Sequence, residues 1–271
     1  MIRISMRAFV PFIALLVGLC QPAAAQFTGP PPPVMSNAPE NSPMTNMMYN
    51  MGTSMAMQSM IPMEANIAMR QALLDRRVRD AHLQFKPVDN SAFIEIFVAG
   101  AANQKDRTGA EVYNAAYFRS RLSDFEADSA RFGLPVHDAV TACDYLYEAI
   151  YYAGFGAAVH DTAERQALRG KCRLMLSLQQ SKGQLRTDTE LAKYYAVAGI
   201  SAGVLVWEYN HAQGKHDTAR LAMLREDASY LFKAAADASL ALYPTLHDFL
   251  CAGTVVRACD GLLAQERRYA N

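Results

Sequence analysis

The sequence predicts an all-α fold, a bundle of about seven or eight helices preceded by a disordered leader. Three observations carry that expectation. From about Met63 onward the apolar residues recur at helical spacing, the strict alternation of a half-buried strand is nowhere sustained, and Gly and Pro punctuate the segments where helices should stop. Glu64 to His82 reads as the first helix, closed by Pro87. Asn90 caps a short apolar helix to about Ala102, with Phe93, Ile94, Ile96 and Phe97 on its buried side. Thr108 opens a longer helix through Val112, Tyr117, Leu122 and Phe125, which ends at Gly133 before Pro135, the expected stop signal. Further helices follow at about Asp138–Ala153, Asp161–Gln180, Thr187–Ala212, Asp217–Leu242 and Thr245–Gln265.

The helix near Thr187–Ala212 is the expected centre of the bundle. Tyr194 to Trp207 holds fourteen consecutive uncharged, mostly apolar residues, too few for the roughly 20 that span a bilayer. Gly199 and Gly203 are four apart with Ala196, Ala198 and Ala202 beside them, so one face is stripped to backbone and predicts close approach of a neighbouring helix.

Residues 1–25 read as a cleavable secretory signal. Arg3 and Arg7 form a basic start, Ala8 to Leu19 an apolar run too short for an anchor, and Ala23-Ala24-Ala25 a small-residue cleavage site. Residues 26–62 form a Pro- and Met-rich leader with Pro30-Pro31-Pro32-Pro33, too poor in core-forming residues to fold alone, and 63–271 form the helical domain. Lys and Arg number 26 against 26 Asp and Glu; loss of the signal removes Arg3 and Arg7 and leaves a net charge of −2. Such a balance steers the protein toward neither nucleic acid nor an anionic membrane, and the expected location is periplasmic or secreted.

Cys20 leaves with the signal, so Cys143, Cys172, Cys251 and Cys259 remain, an even number in an oxidising compartment. With the turn between the flanking helices centred near Ala157, Cys143 and Cys172 lie at matching depth in an antiparallel hairpin, which favours their pairing. Buried free thiols packing as small hydrophobes are the alternative. Cys251 and Cys259 then form the second bridge. An unbroken helix would hold them about 12 Å apart along its axis, beyond disulfide reach, so a bend is predicted near Gly253.

Ten of the fourteen methionines fall between Met35 and Met69. Spacings such as Met44-x-x-Met47, Met48-x-x-Met51, Met57-x-x-Met60 and Met60-x-x-Met63 place soft thioethers where several can meet one Cu(I) ion. These residues resemble the Met-rich segments of bacterial periplasmic copper-handling proteins, although no His lies between Gln26 and Ala81. The same methionines also fit one helical face for docking on a protein partner, or a low-complexity leader without any ligand.

Four His-Asp pairs, at 137–138, 160–161, 216–217 and 247–248, raise the alternative of metal ligands in a metal-dependent hydrolase. Each stands at a predicted helix start, where Asp accepts backbone N–H groups, and helix capping is the favoured reading. Thr187 with Glu190 has capping-box spacing. Tyr145, Tyr147, Tyr151, Tyr152 and Phe155 crowd one helix with Asp144 and Glu148, a set from which a sugar cleft can be built. The two carboxylates are i, i+4 neighbours and do not flank a glycosidic bond, so core and rim packing is preferred. G-x-S-x-G, H-E-x-x-H, C-x-x-C and phosphate-cradling glycine motifs do not occur.

Arg131-Phe132-Gly133-Leu134, followed by the apolar helix around Ala139 to Tyr152, resembles a group of uncharacterised bacterial exported proteins with a helical domain of unknown function. The resemblance extends over Leu83 to about Leu242 and implies no catalytic residues. The sequence reading is therefore an exported helical binding or structural protein, with Cu(I) binding through the leader as the second reading and a metal-dependent hydrolase as the third.

Overall fold

The computed structural model describes residues 69, 71–102, 113–158, 162–236 and 267–270. The expected signal, most of the Met-rich segment with Met44, Met47, Met48, Met51, Met57, Met60 and Met63, the pair Cys251 and Cys259 and the helix expected at 245–265 lie outside them. Seven helices occur among the described residues, and no strand. The boundary between Asp80 and Ala81 separates two compact units. On its N-terminal side, 71–80 is helical, with an Arg76–Asp80 ion pair at 3.3 Å one turn apart on an exposed face.

The second unit contains α1 (Ser91–Ala102), α2 (Ala115–Arg131), α3 (Ala139–Phe155), α4 (Thr162–Ser181), α5 (Asp188–Gly214) and α6 (Thr218–Ala236). Every residue of α5 from Tyr194 to Leu205 is buried, as an all-round apolar helix must be. Its most extensive partner is α3, followed by α2. At Gly199 an added Cβ would lie 2.5 Å from the Phe125 ring, and at Gly203 2.5 Å from the Arg121 carbonyl oxygen. The small-residue face is thus the seat of α2, and the expected close approach is made inside one core.

Helix boundaries follow local chemistry. Asn114 is extended and its side chain accepts the Tyr117 N–H, so α2 starts at Ala115 and not at Thr108; residues 103–112 lie outside the described set. Gly133, with φ +70°, follows the end of α2 as expected. α3 continues through Gly154 and stops at Gly156, whose left-handed backbone makes the C-cap two residues later than expected. Thr187 and Glu190 form the reciprocal capping box at the start of α5. In α1, Phe93, Ile94 and Phe97 are buried, whereas Ile96 sits half-buried on the flank.

Before α1 the chain is extended. The Phe85 N–H donates to the His137 carbonyl at 3.1 Å, and the Ala139 N–H donates to the Leu83 carbonyl at 3.0 Å, a single antiparallel bridge that lays 83–85 against the start of α3. Cys143 and Cys172 are joined as a disulfide with Cα atoms 5.8 Å apart, locking α3 to α4. The later end of α3 leaves their shared depth intact.

Candidate functional site

On α3, Tyr145, Glu148, Ala149 and Tyr152 fall at i, i+3, i+4 and i+7 and share one face. The small Ala149 between two tyrosines leaves a hollow. The end of α2 brings Asp128, Arg131 and Phe132 to its rim, α4 brings Arg165, and α5 brings Val206 and Asn210. With Ala158 from the α3–α4 connection they enclose a groove of about 350 Å³.

The walls are held by polar contacts. The Tyr145 hydroxyl donates to Asp128 Oδ2 at 3.0 Å, and Asp128 also forms an ion pair with Arg131. Glu148 Oε1 pairs with Arg165 Nε at 3.0 Å. The Tyr152 hydroxyl donates to Asn210 Oδ1 at 2.7 Å. Both arginine guanidinium groups stand 5.3 Å from the ring of Phe132, which is 55% exposed at the mouth. Each cation of the lining therefore already has a carboxylate. Glu148 Oε2 and the Asn210 side-chain amide take no further hydrogen bond among the described residues.

Behind this face runs a row of charges whose carboxylates, but not whose arginines, stand out in the sequence. Arg165, Arg169 and Arg173 recur every four residues along α4, and α3 sets Asp138, Asp144 and Glu148 near them. Arg169 bonds Asp138 Oδ2 and Thr141 Oγ1, each at 3.2 Å. Asp144 is fully buried and neither oxygen is hydrogen-bonded; burial, with the Glu148 carboxylate beside it, holds its carboxyl well above the usual range. Burial also raises Glu148, against the opposing pull of Arg165. The phenol of Tyr145 is pushed up by burial and then by Asp128.

A second polar cluster joins α2, α5 and α6. Buried Glu208 accepts the hydroxyls of Tyr113 at 2.6 Å and Tyr117 at 3.2 Å and pairs with Arg220 at 3.0 Å. The Arg121 guanidinium lies 5.2 Å from the Tyr117 ring and 4.8 Å from that of Trp207. Glu208, Arg220 and the two tyrosines satisfy one another, whereas Arg121 pairs with Asp124 at 3.0 Å and keeps Nε and Nη1 buried without a hydrogen bond; the cluster's role is cohesion among the three helices.

Of the residues singled out from sequence, Tyr145, Glu148 and Tyr152 meet in the groove, whereas Tyr147 and Tyr151 are buried in the core. Two of the His-Asp pairs are described. Asp138 Oδ1 accepts the Val140 N–H at 2.8 Å and Asp217 Oδ1 the Arg220 N–H at 3.0 Å, so both cap helices. His137 and His216, each just before such a cap, adopt positive φ of 57° and 53°. The other two pairs, at 160–161 and 247–248, lie outside the described residues. Among the described residues no group of three or more His, Cys, Asp and Glu side chains is placed to hold a metal. Asp128, Arg131, Arg165 and Asn210 were not anticipated. Only the four-residue spacing of the α4 arginines offered a sequence signal, and it does not say what they face.

Fold and groove together define an all-α protein with a charge-balanced, aromatic hollow among four helices. The chain belongs to a family of unknown function, DUF6683, whose family model matches residues 4–239. No curated protein matches the chain, and no solved structure does. No helix among the described residues is long and apolar enough to cross a membrane.

Proposed function

We propose that this chain is an exported binding protein that holds a small molecule in the groove between α2, α3, α4 and α5. The observation that carries the reading is the groove itself, a hollow of about 350 Å³ walled by Tyr145 and Tyr152 with a few fixed polar groups. That combination is characteristic of small-ligand sites. Export is supported by the basic, apolar and small-residue pattern of residues 1–25 and by the Cys143–Cys172 disulfide. Thermal-shift screening of the whole secreted chain against a broad small-molecule library tests the proposal. Hits should disappear in Ala158→Trp, which fills the groove from an exposed rim position. Hits that persist in that variant, or none in the wild type, would refute it.

The leader supports a second reading, Cu(I) binding by Met44, Met47, Met48, Met51, Met57, Met60 and Met63, favoured by their repeated Met-x-x-Met spacing. Replacing Met44, Met47, Met48 and Met51 by Leu keeps the apolar volume and removes the donors. Cu(I) titration should then lose its binding step, and an unchanged titration rejects this ligand set.

A further inference from the structure

Building on the binding reading, we infer that the groove takes a neutral saccharide. The first ground is charge. Asp128 is paired with Arg131 and Glu148 with Arg165, so the lining offers a net charge of zero and no unmatched ion. A charged ligand would have to compete with the Glu148–Arg165 pair, the less exposed of the two, and strand the group left behind. A neutral ligand needs no such rearrangement.

The second ground is the kind of polar atom left over. Glu148 Oε2 is an acceptor, the Asn210 side-chain nitrogen a double donor, and the Tyr152 oxygen, having donated its proton to Asn210, is an acceptor. Glu148 and Tyr152 stand one turn apart on α3, and Asn210 of α5 is joined to Tyr152 at 2.7 Å, so acceptors and a donor line one groove. A hydroxyl both donates and accepts, and vicinal hydroxyls on one ring present that pairing at short range. A peptide segment presents its N–H and C=O groups alternately along an extended chain and is read by a sheet edge or a long groove, which this hollow among helices does not supply.

The third ground is the aromatic wall. Tyr145 and Tyr152, two turns apart with Ala149 between them, form an apolar bay against which the C–H face of a sugar ring packs while its hydroxyls reach Glu148 and Asn210. At about 350 Å³ the groove is near the small end of ligand pockets, the scale of a mono- or disaccharide.

The test uses the whole secreted chain on an array of neutral and charged glycans, followed by calorimetry with the neutral probes maltose, cellobiose and N,N′-diacetylchitobiose and with glucuronic acid and glucosamine as charged comparators. At least one neutral glycan should bind, with an affinity unchanged between low and high salt. Asn210→Ala should weaken it roughly three- to tenfold, the effect of losing a hydrogen bond, and Ala158→Trp should abolish it. Glu148→Gln leaves Arg165 without its counter-charge, so this variant should shift preference toward acidic glycans. Binding confined to charged ligands, with strong salt dependence and loss in Ala158→Trp, would overturn the saccharide assignment while leaving the groove as a binding site. Library hits that ignore Ala158→Trp, or an absence of hits altogether, would overturn both.

Discussion

At Gly203 a hydrogen in place of a methyl group decides how two helices meet. The Arg121 carbonyl stands 2.5 Å from where a Cβ would lie, and a backbone oxygen within a packed helix has nowhere to go. Gly203→Ala should therefore destabilise the domain by about 1–3 kcal/mol despite the better helix propensity of Ala. Denaturant unfolding of the variant checks this, and an unchanged midpoint would mean that α2 slides away freely. Asp144 makes the complementary point for charge. Its carboxyl is raised in the fold, so the folded state binds the proton more tightly than the unfolded chain. The resulting stability is complete below the unfolded value near 3.8 and is lost as pH rises through the folded value. Asp144→Asn stays neutral and escapes that loss. Its melting temperature should exceed that of the wild type by a margin that grows from acidic to neutral pH, whereas a constant margin would point to packing instead. Glu148 and Asp138 are raised in the same direction, so some downward slope with pH remains in the variant.

Among the elements, the starts of helices were the most legible feature and the least uniform in mechanism. Thr187 and Glu190 satisfy two donors reciprocally at α5, as their spacing foretold. Thr187→Ala should cost about 1 kcal/mol and leave the fold intact, measurable as a small shift in the urea midpoint. Asp138 caps α3 as its position predicts, and it also receives Arg169 at 3.2 Å in a buried setting. Sequence gave no sign of that second duty because Arg169 is on another helix. Asn114 was missed for the opposite reason. The helical period does not lapse before it, and only its extended backbone shows that α2 begins there. Gly154 and Gly156 illustrate the same limit, since either stops a helix on composition and only the left-handed φ of 72° identifies the second as the cap.

For the molecule as a whole, the Cys143–Cys172 bridge joins positions 29 residues apart within the unit that carries the groove. Replacing both cysteines by alanine should lower stability by about 2–5 kcal/mol through release of the unfolded chain, and the α3–α4 pairs Glu148–Arg165 in the groove and Asp138–Arg169 behind it should loosen. Thermal denaturation with and without reductant reports the loss; a wild-type protein indifferent to full reduction would contradict it. Cys251 and Cys259 are expected to form the companion bridge. Non-reducing peptide mapping should recover them as one linked fragment, and two free thiols there would remove that pairing.

What the sequence alone determined is local or periodic: the helical class, most helix ends, the buried course of α5, the caps at Thr187 and Asp138, and the depth match of Cys143 and Cys172. Each rests on interactions within a few residues, or on the rigid rise of a helix, which makes spacing along the chain a measure of distance in space. The tertiary structure decided which faces meet. Asp128, Arg165 and Asn210 come from three different helices, and their convergence on Tyr145, Glu148 and Tyr152 depends on how those helices cross. The same crossing buried Asp144 and exposed Phe132. No pattern along the chain encodes those crossings directly, because they are set by the summed packing of many side chains around α5, with Gly199 and Gly203 bringing α2 close enough to complete the groove.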